Sequence, residues 1–353
     1  MNYLTTLNHD IQGIKKLLLE GRNSINYSAI FSYSHLRDTC IMLYEANKVL
    51  KNTEIIQGDL PNMEVIEEIR HKVKTTQGNN NRVMFKKLLE AHVSLIGNDI
   101  DNLGFYLDGD TLVGSTLFST YIFDGTPLQN VYDKAAYTDL TSELGELLQL
   151  LITLIDRDVD LESKPLLLKD AKRYKGKDIW DKIFFTDDIS YNVFLTRILL
   201  IQSEITSCIW MKEHLNYKST AFNFDKYILL RLTSIKMFEI MRNIEDIRER
   251  LKGHWVDLNY NVLDEKIQQY VGKHKKEMTT LRNMLHYSNE CINFYDYVIQ
   301  QLNADPNYVD DLLNTIFEEY IIPFRKVISD NIDITNYQSM NIFEKIVKRL
   351  KTK

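Results

Sequence analysis

The stretch Glu277–Leu302, EMTTLRNMLHYSNECINFYDYVIQQL, decides how this chain is read. Met278, Leu281, Leu285, Ile292, Tyr295 and Ile299 recur mostly at steps of three, four and seven, which lines one stripe of an α-helix. Neither Gly nor Pro interrupts it, and the break comes only at Asn303-Ala304-Asp305-Pro306. The pattern predicts one long helix around which the C-terminal half packs. Its polar residues Arg282, Asn283, His286, Asn289 and Glu290 gather in two turns.

Working outward, the same periodicity recurs. Upstream it predicts helices over Leu4–Leu19, Ser28–Leu50, Asn62–Lys74, Asn81–Ile96, Asp99–Leu107, Tyr137–Asp156, Val193–His214 and Phe222–Lys252. Downstream it predicts Tyr308–Ser329 and Ser339–Leu350. The polar segment Asn52–Asn62, with Gly58 and Pro61, is the best early boundary, and the charged connector Asp156–Asp188 reads as a surface loop with short helical pieces. Phe105–Pro127 is ambiguous. Asp108-Gly109-Asp110 between Tyr, Leu and Val fits either a β-hairpin or a tight helix–turn–helix link capped by Asp110 or Thr111. The helical reading is preferred because no partner strand is visible elsewhere. The expected fold is all-α, about ten to twelve helices by periodicity.

Composition narrows the function classes. With 353 residues the chain can bury a substantial core, and 44% apolar with 26% charged residues is ordinary for a globular protein. The 13 Gly and 5 Pro favour long helices over many turns. A net charge of −6 gives no global drive toward nucleic acid or an acidic membrane, so neither is expected as a partner. Cys40, Cys208 and Cys291 lie far apart, which fits neither a disulfide framework nor a zinc site and points to a reducing compartment. No signal peptide is visible at the N-terminus, and no uninterrupted apolar window reaches membrane-spanning length.

Chemistry-bearing motifs are few. GxGxxG, GxxxxGK[ST], HExxH and GxSxG are absent from the sequence, and no two of the eight histidines share a metal-ligand spacing. Neither a cofactor nor a metal is therefore expected. The one suggestive constellation is Arg282-Asn283-Met284-Leu285-His286, whose ends share a helix face. It resembles the Arg…His motif of HEPN-type ribonucleases, which act on an RNA 2′-hydroxyl and its phosphate. That family has four to six residues between the two, against three here. The plainer reading is preferred: His286 as a partly buried, hydrogen-bonded side chain and Arg282 as a surface or packing residue. The run Lys273-His274-Lys275-Lys276 likewise reads as a solvated helix start.

Four segments in order resemble the C-terminal GRIP domain of the γ-tubulin complex components. Asp101–Gly125 looks like the family's helix that ends in an aromatic-Leu run, meets a Gly-Asp turn and continues into a second helix. Ile189–Leu200 is similar to its Tyr-x-Val then aliphatic segment, without the usual Trp-Pro. Met237–Trp255 resembles the helix that opens on an aliphatic-Phe pair and closes on Trp. Leu281–Leu302 resembles the Leu-Arg-x-x-Met-Leu-His-Phe helix, shifted by one residue, with Tyr287 in place of Phe. Leu43–Asn52 looks like a piece of the first GRIP domain, with Asn47 replacing a Gly.

The resemblance implies stacked helical bundles forming an elongated rod. Residues 1–60 would be a remnant of the lateral-contact domain, and 61–353 the γ-tubulin-binding domain. It implies a non-enzymatic scaffold that supports microtubule nucleation at an organising centre or spindle pole, with γ-tubulin and neighbouring complex components as partners. Carried over by position, the contact residues are Arg282, Asn283, His286, Tyr287, Asn289, Asn293 and Tyr297, with Gly109 and Asp110 in the turn.

Overall fold

The computed structural model describes residues 3–22, 27–61, 63–76, 80–96, 102–124, 174–256, 258, 260–287 and 292–339. The chain is mostly helical and carries a small three-stranded sheet. The helices expected over Tyr137–Asp156 and Ser339–Leu350 lie outside the described residues.

The N-terminal helices are α1 (Tyr3–Arg22), α2 (Tyr27–Asn52), α3 (Met63–Thr76) and α4 (Asn81–Ile96). Strands β1 (Asn102–Asp108) and β2 (Thr111–Ser115) follow, then α5 (Thr116–Phe123), β3 (Tyr174–Trp180) and the one-turn α6 (Asp181–Phe184). The two longest central helices are α7 (Ile189–His214) and α8 (Phe224–Arg250). After the short α9 (Lys252–Trp255) come α10 (Tyr260–Lys273), α11 (Lys275–Asn283) and α12 (Phe294–Ala304). The described chain closes with α13 (Tyr308–Asn314), a π-helical turn Thr315–Ile321, α14 (Ile322–Asn331) and a 3₁₀ turn at Ile334–Asn336.

The centre is α7. Its start is capped by the Asp188 carboxylate, which accepts from the Ser190 N–H at 2.8 Å. Helix α7 is buried on all sides, its polar Arg197, Gln202 and Glu204 included, and is enclosed by α2, α4, α8, α14 and β2. Among the described residues it is the one helix long and apolar enough to cross a membrane, and 94% of that window is buried in the molecule. Beside it α8 begins at Asn223, whose side chain accepts from the Lys226 N–H at 2.9 Å. One connected core runs from Tyr3 to Ile334. Helix α1 rests on α2, α8 and α12, so the N-terminal segment shares that core with C-terminal helices. Gly13 permits the approach of α1 to α8, because a Cβ there would collide with Ile228.

Two expectations are corrected. Asn102–Ser115 is a β-hairpin, not a helix–turn–helix. Asp108 pairs with Thr111 across a two-residue turn, and Gly109 sits at φ +62°, where only glycine is unstrained. Leu103, Phe105 and Leu107 are buried, a period of two that a helix would scatter. The strand is possible because β1 has an antiparallel partner on its other edge, Asn102 opposite Trp180 through Asp108 opposite Tyr174. That partner lies inside the connector expected to be a loop. The strand order is β2-β1-β3.

The long helix over Glu277–Leu302 is two helices: α11 ends at Asn283 and α12 begins at Phe294, and residues 284–287 and 292–293 between them are not α-helical. Met278, Leu281 and Leu285 are buried as the stripe requires, but Ile292 is exposed and Phe294 and Val298 take the core positions. Asn293 ends the junction by capping α12, accepting from the Asp296 N–H at 3.2 Å. Buried groups elsewhere claim the junction's backbone and side chains. Arg231 donates to the Met284 carbonyl at 3.1 Å, and Thr6 bonds both the Asn293 side chain and the Tyr295 N–H. A continuous helix would leave these partners unmet.

Candidate functional site

The residues expected to meet a partner separate into a buried set and a more exposed one. Tyr287 belongs to the interior: its hydroxyl donates to Asp10 at 2.9 Å. Asp10 and Arg231 are fully buried and paired at 2.9 Å, and Tyr227 donates to the same carboxylate at 2.8 Å. Burial, and then the Asp10 charge, push both phenols well above the usual tyrosine range. Asn293 is the buried cap described above. Tyr297 donates to Glu277 at 2.9 Å, and Tyr308 reaches the same carboxylate. Burial and that hydrogen bond push the Tyr297 phenol up to about 12. These side chains fix α1, α8, α11, α12 and α13 to one another.

The second set is Arg282, Asn283 and His286, at and just beyond the end of α11: Asn283 and His286 are exposed and Arg282 is half-buried. The Arg282 guanidinium lies 5.4 Å from the Phe238 ring centre on α8 and touches Asn283 at 3.4 Å. The His286 ring is half exposed, and its Nδ1 stands 3.1 Å from a Glu45 carboxylate oxygen on α2. Arg282 and His286 therefore reach toward different helices and do not converge. The Asn289 position lies outside the described residues. Gly109 and Asp110 are exposed at the hairpin tip, where the adjacent Asp108 pairs with Arg325 of α14 at 3.1 Å. That tip belongs to the sheet that packs on α7, not to the α11–α12 junction.

Glu45 is the residue that sequence reasoning missed. Only 4% of its side chain is exposed, and Arg70 of α3 meets its second oxygen at 3.4 Å. Burial alone would raise this carboxyl, but the His286 hydrogen bond and charge, with Arg70 and Lys48, hold it below its ordinary value. Arg70 in turn stacks 3.8 Å over the Tyr44 ring. Tyr44 and Arg70 form one wall of an open cleft of about 810 Å³ that α3, α4 and α5 also line. Sequence reasoning passed over Glu45 because a glutamate three residues before Lys48 looks like an ordinary solvated helix position.

A second polar knot lies in the core, where α2, α7 and α8 meet. Arg37 and Lys236 each contact both Asp38 and Glu204, all four at most 4% exposed. Two cations against two carboxylates leave the knot neutral, which is the condition for burying charge at tolerable cost. Among the described residues no group of His, Cys, Asp and Glu is arranged to hold a metal ion.

Compared with protein-family models, curated proteins and solved structures, the chain matches none.

Proposed function

We propose that this chain is a non-enzymatic helical scaffold that holds a partner protein at the end of α11, and that γ-tubulin is the partner, as the sequence resemblance implies. The observation that carries the reading is the division of the carried-over residues. Tyr287 and Asn293 are spent on locking the junction to α1 and α8, while Asn283 and His286 are exposed on that braced platform beside the half-buried Arg282. A surface held rigid before contact loses little conformational entropy on binding. Ile189–Leu200 lies within α7, whereas Met237–Trp255 spans the second half of α8, a break at Leu251 and the short α9 rather than one helix that closes on Trp255. The hairpin and the broken helix over Glu277–Leu302 also depart from the resemblance, so the reading rests on the sequence resemblance itself and on the α11 end. A rod of stacked bundles, lateral contacts through residues 1–60 and a place at the microtubule-organising centre belong to this proposal.

Size-exclusion chromatography with purified γ-tubulin tests it. Co-elution at a stoichiometric ratio, weakened by Arg282→Ala with Asn283→Ala, is the expected result. Separate elution of two folded proteins refutes it.

One observation favours a second reading, an RNA-cleaving helical protein. A half-exposed imidazole oriented by a buried carboxylate, with Arg70 beside it, has the parts of an acid–base site. This version uses His286 and Glu45, since Arg282 is directed elsewhere. RNA left intact by the purified protein, or cut equally by His286→Ala, ends that reading.

A further inference from the structure

We propose that the chain carries an anion site in the cleft where α4 and α7 begin and α8 ends, and that Arg82 and Arg250 hold a phosphate group there. None of the residues that line this cleft belongs to the α11 platform, so the site is independent of the scaffold reading.

The cleft encloses about 580 Å³. Arg82 reaches it from α4, Ser190 from α7 and Arg250 from the end of α8, with the apolar Val193 and Leu251 beside them. Arg82 is exposed and makes no ion pair among the described residues. Arg250 is half exposed and pairs with Asp246 through Nε at 2.7 Å. A guanidinium offers five N–H donors in a fork that matches phosphate oxygens, and one Nε contact leaves most of that capacity unused.

The network behind the opening is rich in cations. Asp246 serves Arg250, accepts from the Asn81 amide at 2.8 Å and stands 4.0 Å from the buried Arg197. Arg197 donates to neutral oxygens, at 2.9 Å to Asn81 and at 2.6 Å to Asn243 and to the Thr76 carbonyl. Among the described residues one carboxylate thus joins two guanidiniums, before Arg82 is counted. The other buried clusters are matched one for one: Asp10 with Arg231, and Asp38 and Glu204 with Arg37 and Lys236. Two further carboxyls lie nearby. Asp188 caps α7 and stands 3.7 Å from His254, while burial pushes Glu239 above its ordinary range, which favours its neutral form.

An anion between Arg82 and Arg250 would restore the balance. The first turn of α4 adds backbone donors of the same sign, apart from the Val83 N–H, which Asn80 accepts at 3.2 Å. A phosphate suits the site better than a carboxylate does. It brings about −1.5 to −2 of charge at neutral pH and three acceptor oxygens, enough for both forks. The cleft volume also falls in the range of small-molecule sites, which leaves room for a group that carries the phosphate.

Calorimetric titration of the full chain at constant ionic strength tests this with inorganic phosphate, adenosine monophosphate and a phosphoserine peptide of otherwise neutral sequence. Saturable one-to-one binding of at least one probe is expected, and the tightest identifies the source of the phosphate. Arg82→Gln should weaken that binding by about tenfold or more, the loss of a charge-assisted hydrogen bond. Arg82 is exposed, so the variant should keep the wild-type circular dichroism, and Arg82→Lys, which keeps the charge without the fork, should bind with intermediate strength. Lys218→Gln, an exposed cation beyond the far end of α7, should change binding by less than about twofold, which separates the cleft from net charge. No saturable binding of any probe, binding that Arg82→Gln leaves unchanged, or equal weakening by Lys218→Gln overturns the proposal.

Discussion

Replacing Asp10 by Ala should be among the most damaging single changes in this protein, although it lies in the first helix. The carboxylate accepts from Arg231 at 2.9 and 3.2 Å, from Tyr227 at 2.8 Å and from Tyr287 at 2.9 Å. Both charged residues are fully buried, so the variant leaves the guanidinium in the core without a counter-charge, with the Met284 carbonyl at 3.1 Å and the Phe294 ring 4.5 Å away as remaining neighbours. Breaking one partner of such a pair costs about 3–5 kcal/mol, since the surviving charge keeps its desolvation penalty and loses its compensation. Two tyrosine hydroxyls lose their acceptor as well, at about 1 kcal/mol or more each where water cannot reach. The local effect should be distinctive. Arg231 and Tyr287 brace the α11–α12 junction, so amide exchange over residues 284–287 and 292–295 should accelerate before global unfolding. Thermal unfolding followed by circular dichroism, paired with exchange mass spectrometry, reads both. Asp10→Leu combined with Arg231→Met should recover most of the loss, because a neutral apolar pair removes the stranded charge. A loss below about 1 kcal/mol for Asp10→Ala, or a double variant as unstable as the single, would refute a buried, compensated pair.

Three shorter expectations accompany it. Gly109→Val at the hairpin tip should cost about 1–2 kcal/mol through the positive φ, with Gly109→Asn milder, as urea midpoints would report. Leu281→Ala should cost about 2–5 kcal/mol and Ile292→Ala should stay within about 0.5 kcal/mol, since the first is fully buried and the second exposed. The third concerns Glu45, whose folded carboxyl is held below its ordinary 4.5. The unfolded state then binds the proton more readily, so the stabilisation is present above that value and disappears as pH falls through the folded one. The stability gap between wild type and Glu45→Gln should therefore be full at pH 7 and close at strongly acidic pH.

Much of the helical framework was legible because its signals are local. The expected helices Val193–His214 and Phe222–Lys252 match the observed Ile189–His214 and Phe224–Arg250, whose starts lie a few residues away where Asp188 and Asn223 cap them. The hairpin was not legible for a physical reason. A strand's stability lies in its partner, and β1 finds half of its partners in Tyr174–Trp180, within a connector whose charges gave no strand signal. The break between α11 and α12 failed to show for a related reason. Apolar spacing continues across it, and what ends the helix is the demand of Arg231, Thr6 and Asp10 for partners, groups far away in sequence.

The site was legible to the extent that exposure follows helix faces. Asn283 and His286 are exposed at and just beyond the end of α11, with Arg282 half-buried beside them. Tyr287, one residue further, is drawn inward by a carboxylate from the N-terminal helix, and no periodicity argument reaches that far. Glu45 carries the sharper lesson. It lies next to Ala46, which is fully buried, and between Leu43 and Val49 on a helix that packs on both faces, so the charge was destined for the interior wherever α3 came to cover it. A carboxylate so placed must be compensated, and Arg70 with His286 does this from two other helices. The α2, α3 and α11 ends are thus held together by electrostatic necessity, independent of any partner. It follows that Glu45→Gln should loosen the platform, whereas Arg282→Ala should leave it intact. Any partner whose binding is lost in the second variant and not merely weakened in the first is reading the surface itself.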